Sequence, residues 1–206
     1  RKLFASAHTA LALNLDAVRG DPKRSYLVLA DAMRSWGAAG IPQLWQRMAF
    51  NALVGNVDDH PRNHGLLHDG AGWQLSPAFD ITPIFRPANR HGEPPFSRLS
   101  LAMDTSASGG GAVDVLRLLR SAPHFELDMG DAARWLQDAA NTVTQQSEGL
   151  LREALAPLPD DAQAIVDDTR GSFCFAQTLA ADPTLVDKAL DEVKRAPARR
   201  RTSRGR

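Results

Sequence analysis

The sequence predicts a mainly α-helical domain carrying one small β-hairpin, and three observations lead there. Ala, Leu and Arg recur throughout the 206 residues while aromatics make up only 6%, a composition that favours helix. Apolar residues in the early and late parts of the chain repeat at helical spacing. Between them lies a stretch dense in Gly, Asn, Asp and His, followed by two short strand-like pieces. With 43% apolar and 23% charged residues, disorder of the whole chain is excluded, and the length suffices for one domain with a sizeable core.

In chain order, Leu3 to Leu15 has Leu/Ala spacing that predicts a helix, ended by Gly20-Asp21-Pro22. Tyr26, Leu27, Ala30 and Met33 predict a second helix, stopped by Gly37 to Gly40. Pro42 opens a third at a tolerated first-turn position, with Leu44, Trp45, Met48 and Leu53 as its buried stripe. Gly55 to Asn63 reads as a loop. His64 to His68 and Gly72 to Leu75 read as strands around the turn Asp69-Gly70-Ala71-Gly72. The Pro-rich stretch from Ser76 to Pro95 reads as a long functional loop, and Phe96 to Met103 as an extended segment. Helix resumes from Ala112. Trp135, Ala139, Val143 and Leu150 share one face as a core stripe, Pro157 and Pro159 punctuate it, and short helices follow to about Val193. No internal repeat is visible.

The formal net charge is zero, with 24 basic and 24 acidic side chains, but the distribution is uneven. Lys194 to Arg206 holds seven of the basic groups and no acid, so the first 193 residues carry 17 basic against 24 acidic groups, a net of −7. Composition thus divides the chain into a domain over 1–193 and a disordered basic tail over 194–206. A Lys/Arg cluster attracts nucleic-acid phosphate. Without interleaved aromatics, a solvated end is the better reading. The single cysteine, Cys174, cannot form an internal disulfide, which fits a reducing cytoplasm, and between Phe173 and Phe175 it reads as a small buried hydrophobe. No segment approaches a membrane span. Arg1-Lys2 and the apolar residues after it outline a secretory leader, yet His8, Thr9 and Asn14 interrupt the run and no compact cleavage site follows. The expectation is a chain that begins inside a longer protein.

The chemistry is carried by Asp58, Asn63 and Asp80. Phosphoryl transfer to a hydroxyl needs a carboxylate to orient the nucleophile and accept its proton. It also needs oxygen ligands that hold Mg²⁺ against the ATP phosphates. An Asp-x4-Asn loop supplies the base and one ligand in kinases, and a later Asp supplies the second. Asp58 and Asn63 have that spacing, and the hairpin returns the chain towards Asp80.

The run Phe50-Asn51-Ala52-Leu53-Val54-Gly55-Asn56-Val57-Asp58-Asp59-His60-Pro61-Arg62-Asn63-His64-Gly65-Leu66 resembles the catalytic-loop signature of HipA-type toxin kinases. Gly72 to Ile81, with Asp80 near its end, resembles the metal-binding segment that follows it. The likeness is dense from Tyr26 to Pro83 and looser to about Gln146. It implies a protein-kinase-like C-lobe with a small β-hairpin at the active site, ATP and Mg²⁺ as cofactors, and protein serine or threonine as acceptor. It further implies Asp58 as catalytic base, Asn63 and Asp80 as metal and cofactor ligands, and His60 in the place of a loop histidine that buttresses the site. A helix-turn-helix antitoxin is the implied partner, with DNA reached only through it. The family's N-lobe, phosphate-binding loop and nucleotide-clamping Lys have no counterpart here. Gly109-Gly110-Gly111 follows the catalytic loop, and Lys2 and Lys23 are the only lysines before it. The expectation is a fragment, one subunit of a split kinase, or a degenerate copy.

Blander readings compete at each position. Asp58 and Asn63 could be turn residues and Asp80 a helix cap. Asp59 is expected to hold an Arg or face solvent. His60, His64 and His68 recur every four residues, a zinc spacing on a helix, but Pro61 and Gly65 argue against helix and for structural roles. Two other functions remain open: a pseudokinase remnant that binds an antitoxin, and a metal-dependent phosphohydrolase built on Asp58, Asp59 and His60.

Overall fold

A computed structural model describes residues 2–14, 21–83, 98–104 and 110–195. It is mainly helical, with one three-stranded antiparallel sheet. The first departure from the sequence reading comes at once. Leu3–Ser6 is a strand, β1, and only Ala7–Ala10 forms a single helical turn, α1, capped by the Ser6 hydroxyl. A helix spacing over four residues has little to resist a partner strand, and here one exists. Gly65–His68 forms β2, and Leu3 to Ser6 pairs antiparallel with His68 to Gly65. Gly65 permits the match: a Cβ there would come within 2.2 Å of the Phe4 ring. Trp73–Leu75 forms β3 on the far side of β2, joined by the expected turn at Asp69 to Gly72. The expected hairpin is thus two strands of a three-stranded sheet.

The next two helices follow their apolar spacing. Helix α2, Tyr26–Ser35, starts at the Ser25 cap and buries Tyr26, Leu29, Ala30 and Met33. Leu27, expected in that stripe, lies at its half-buried edge. Helix α3, Ile41–Leu53, has Pro42 in its first turn and fully buries Leu44, Trp45, Met48 and Leu53. Removing side chains of that size from water is worth about 1.5–3 kcal/mol each, so α3 is the axis of the core. The Trp45 indole N–H donates to the Leu118 carbonyl at 3.0 Å, giving the buried ring its polar partner.

The segment expected to be extended, Phe96 to Met103, is described only from Arg98. It makes isolated bridges rather than a strand, Ser25 with Ala102 and Arg98 with Ala112. Leu99, Leu101 and Met103 are buried. Gly110 and Gly111 offer carbonyls to Met103 and Leu99, and a Cβ on Gly111 would meet the Leu99 carbonyl at 2.5 Å. These glycines permit close backbone packing.

The remaining helices are α4 Val115–Ser121, α5 Met129–Ala154, α6 Pro159–Arg170, α7 Cys174–Ala181 and α8 Thr184–Arg195. On α5 the buried residues are Ala132, Ala133, Leu136, Ala140 and Val143; Trp135 and Ala139 border them, and Trp135 packs edge-on to Trp45 at 5.8 Å. Leu150 is exposed, whereas Ser147 and Leu151 beside it on the 26-residue helix are half-buried. Cys174 is half-buried rather than buried. Lys194 and Arg195 belong to α8, so helix continues into what composition marks as tail; residues 196–206 lie outside the described residues. Of the loop from Ser76 to Pro95, the structure describes Ser76 to Pro83.

Candidate functional site

The loop bearing Asp58 leaves the C-terminus of α3 through Gly55, whose φ of +67° is readily available only to glycine. A Cβ there would also stand 2.5 Å from the Ser172 carbonyl. The chain then runs extended to Pro61–Asn63, a single tight helical turn, before entering β2. Asp58 points outward, its side chain 53% exposed. Asn63 is buried, and its side-chain amide donates to the Asp58 carbonyl at 2.8 Å. That bond identifies the amide nitrogen, so the Asn63 side-chain oxygen is the atom left for a cation. His60 Nε2 stands 3.9 Å from the Asp58 carboxylate, too long for a hydrogen bond.

Asp80 lies beyond the hairpin on an exposed stretch, in the left-handed region at φ +54°. The Ser76 amide donates to the Gly65 carbonyl at 2.8 Å, which sets the start of its segment beside the end of the loop. Arg47 of α3 holds the same point by donating to the Ser76 carbonyl at 2.5 Å. Burial lowers the Arg47 pKa. Next to Asp80, Phe79 meets Phe4 of β1 edge-on at 6.3 Å. The oxygens of Asn63 and Asp80 are hard donors of the type that suits Mg²⁺. Among the described residues, no three His, Cys, Asp or Glu side chains gather in a way that could hold a metal ion.

Beneath the loop is a feature that spacing did not reveal. Tyr26, Asn51, Asn56, Asp59 and His64 are all buried polar residues. The Tyr26 hydroxyl donates to the Asp59 carboxylate at 2.8 Å and accepts from the Asn51 amide at 3.0 Å. Asn56 donates to the Asn51 side-chain oxygen at 3.1 Å, and its own oxygen accepts from the Asp58 backbone N–H at 3.3 Å. Asp59 also accepts from the backbone amides of Ser100 and Leu101. It therefore holds neither an Arg nor solvent, contrary to the sequence expectation. Burial pushes its carboxyl up to about 6 against these hydrogen bonds, which act to lower it.

His64 Nε2 faces the Asp59 carbonyl at 3.3 Å, an oxygen that can only accept, so Nε2 carries the ring proton. Burial, then the Arg47 charge, bring its pKa down to about 3, so the ring is neutral. His68 accepts from the Gly70 amide at the hairpin turn and packs on Trp73. The three histidines thus occupy different surroundings: His60 beside Asp58, His64 under the loop, His68 on the hairpin. A signal for the buried group did exist, since Tyr26 and Asn51 occupy core-facing positions of otherwise apolar helix stripes.

Residues 1–150 match the family of HipA-like C-terminal domains. The chain belongs to that family. No curated protein matches it. Among solved structures it is similar to a chain from the complex of HipA, HipB and operator DNA of the Shewanella oneidensis MR-1 toxin–antitoxin system, with a TM-score of 0.65 at 16% identity. The match covers 93% of this chain and 46% of that chain, so the present sequence spans about half the length of its structural relative. At that identity the likeness establishes the fold. It extends beyond the family match and takes in most of the helices after residue 150.

Proposed function

We propose that this HipA-like domain is the protein-kinase-like C-lobe of an ATP- and Mg²⁺-dependent protein serine/threonine kinase in a toxin–antitoxin system. The observation that carries the reading is the loop itself. An outward carboxylate, Asp58, is linked through its own carbonyl to the Asn63 amide five residues on, and a second acid follows the hairpin. Asp58 would orient the acceptor hydroxyl and take its proton as the phosphoryl group arrives. Asn63 and Asp80 would hold Mg²⁺ through oxygen, and the bound ion would offset charge on the ATP phosphates. His60, beside Asp58, would limit the directions its carboxylate can take.

The partner expected of such a protein is a helix-turn-helix antitoxin, through which it would meet DNA in the cytoplasm. The HipB and operator DNA named with the Shewanella complex make that setting reasonable. Among the described residues no helix is long and apolar enough to cross a membrane.

A second reading keeps the fold without the reaction: a domain that binds an antitoxin but transfers nothing by itself. Positioning of the γ-phosphate is most of kinase catalysis, and it needs groups on both sides of the nucleotide. Residues 1–206 alone are expected to transfer no phosphate from ATP, and transfer is expected once an N-terminal half is fused or supplied as a separate chain. Radiolabelled phosphate incorporation into a bacterial lysate, with thermal melts as the folding control, measures both. Failure of every reconstituted form to transfer would favour the binding module.

A further inference from the structure

The hydrogen bonds beneath the loop have a direction. The Asp58 backbone N–H donates to Asn56, the Asn56 amide to Asn51, the Asn51 amide to the Tyr26 hydroxyl, and that hydroxyl to the Asp59 carboxylate. Every donor points the same way, and the series starts and ends on adjacent residues. It is therefore a ring closed through the Asp58–Asp59 peptide. Aligned hydrogen bonds polarise one another, and the Asp59 carboxylate at the accepting end strengthens the series. Burial of all four side chains keeps bulk water from freely replacing a missing link.

Tyr26 is where the ring closes. A phenylalanine would fill the same space, so the hydroxyl is not needed for packing. Without it the Asn51 amide loses its acceptor and Asp59 loses its side-chain donor. Asn51, Asn56 and the Asp58 N–H would still be linked, but the side-chain link from Asn51 to the Asp59 carboxylate would be gone. Resting on the kinase reading of Asp58, we infer that Tyr26 is a positioning residue whose hydroxyl, through Asn51, Asn56 and Asp59, fixes the Asp58–Asp59 peptide and with it the direction of the Asp58 carboxylate.

Two measurements test this, one of which needs no activity. In the reconstituted enzyme, Tyr26→Phe is expected to lower kcat on the order of 10- to 100-fold, as a misplaced reacting group does. KM for ATP is expected to stay at the wild-type value, because Tyr26 is buried. In the 206-residue chain, amide hydrogen exchange at Asp58 and its loop neighbours is expected to quicken in Tyr26→Phe while Leu136 in α5 keeps its protection. A purely stabilising hydroxyl would lower the melting temperature and leave kcat, assayed well below melting, and the loop's relative protection unchanged. That result would overturn the inference. If Tyr26→Phe does not fold, Asn56→Ala opens the ring at its Asp58 end, with the same expected and overturning outcomes. If even the wild-type enzyme transfers nothing, the kinase reading fails, and unaltered loop exchange in the variant would separately refute the positioning of the peptide.

Discussion

Asp58 and Asp59 are neighbours in sequence and opposites in surroundings. One carboxylate is half in solvent with a histidine 3.9 Å away. The other is fully buried, accepting from Tyr26, Ser100 and Leu101. The same contrast runs along the whole loop: Asp58, His60 and Asp80 on the open side are held by little, whereas Tyr26, Asn51, Asn56, Asp59 and His64 bond one another beneath. The lesson is a division of labour. The open side can meet ligands because the buried side does the holding, and substitutions on the two sides should fail in different ways.

The largest expected effect is on the open side. In a reconstituted enzyme, Asp58→Asn removes the proton acceptor that the kinase reading requires, with almost no change of volume. Phosphate transfer is expected to fall on the order of 10²–10⁴-fold, with an unchanged melting temperature because the side chain is exposed. Undiminished transfer in the labelling assay would remove Asp58 from the role of base. On the buried side the pattern reverses. His64→Ala deletes a ring that packs edge-on against Tyr26 at 5.3 Å and donates to the Asp59 carbonyl. A cavity and an unpaired carbonyl should cost about 3 kcal/mol of stability. Urea unfolding checks this, and a loss under about 1 kcal/mol would mean that the site collapses or fills with water.

Asp59 should leave a pH signature in the stability of the fold. Its carboxyl is raised by burial from 3.8 to about 6. The folded state therefore binds this proton more tightly than the unfolded chain. The associated stability is fully present below pH 3.8 and is lost as pH rises through 6, a change of about 3 kcal/mol. His64, lowered from 6.5 to about 3, acts oppositely: its contribution is present above pH 6.5 and is lost as pH falls towards 3. The two slopes partly cancel in the wild type. Asp59→Asn removes one of them, so the wild type minus variant difference in unfolding free energy should decline between pH 4 and pH 7. A flat difference would mean that Asp59 titrates as an ordinary carboxylate.

What the sequence disclosed follows from how local each feature is. The α2 and α3 stripes need only residues within a few turns, and the two helices form as expected, with Pro42 in the first turn of α3 and every expected stripe residue but Leu27 buried. The Asp58-to-Asn63 spacing and the hairpin turn are equally local. Strand β1 is not, because Leu3 owes its conformation to His68, 65 positions away. Nor is the buried ring, which gathers Tyr26 from α2, Asn51 from α3 and Asn56 and Asp59 from the loop, with Ser100 bonded to Asp59. Helix α5 shows a third kind of limit. Its periodicity is real, but no periodicity reveals that the core stops near Val143 and leaves Leu150 in water.

The smallest expected effect belongs to His60 and sharpens the comparison most. It shares the open side with Asp58, its side chain 35% exposed, and its Nε2 is 3.9 Å from a carboxylate that is itself half in solvent. An ion pair so exposed contributes about 0–1 kcal/mol and only while the ring is protonated. His60→Ala should therefore shift stability by less than about 1 kcal/mol, against about 3 for His64→Ala. If His60 restrains the Asp58 carboxylate, the reconstituted enzyme should lose activity in His60→Ala without losing stability. His60→Gln, which keeps a polar side chain of similar reach, should recover part of it. A His60→Ala enzyme as destabilised as His64→Ala would show that the holding extends to both sides of the loop, and that the division between Asp58 and Asp59 is narrower than their burial suggests.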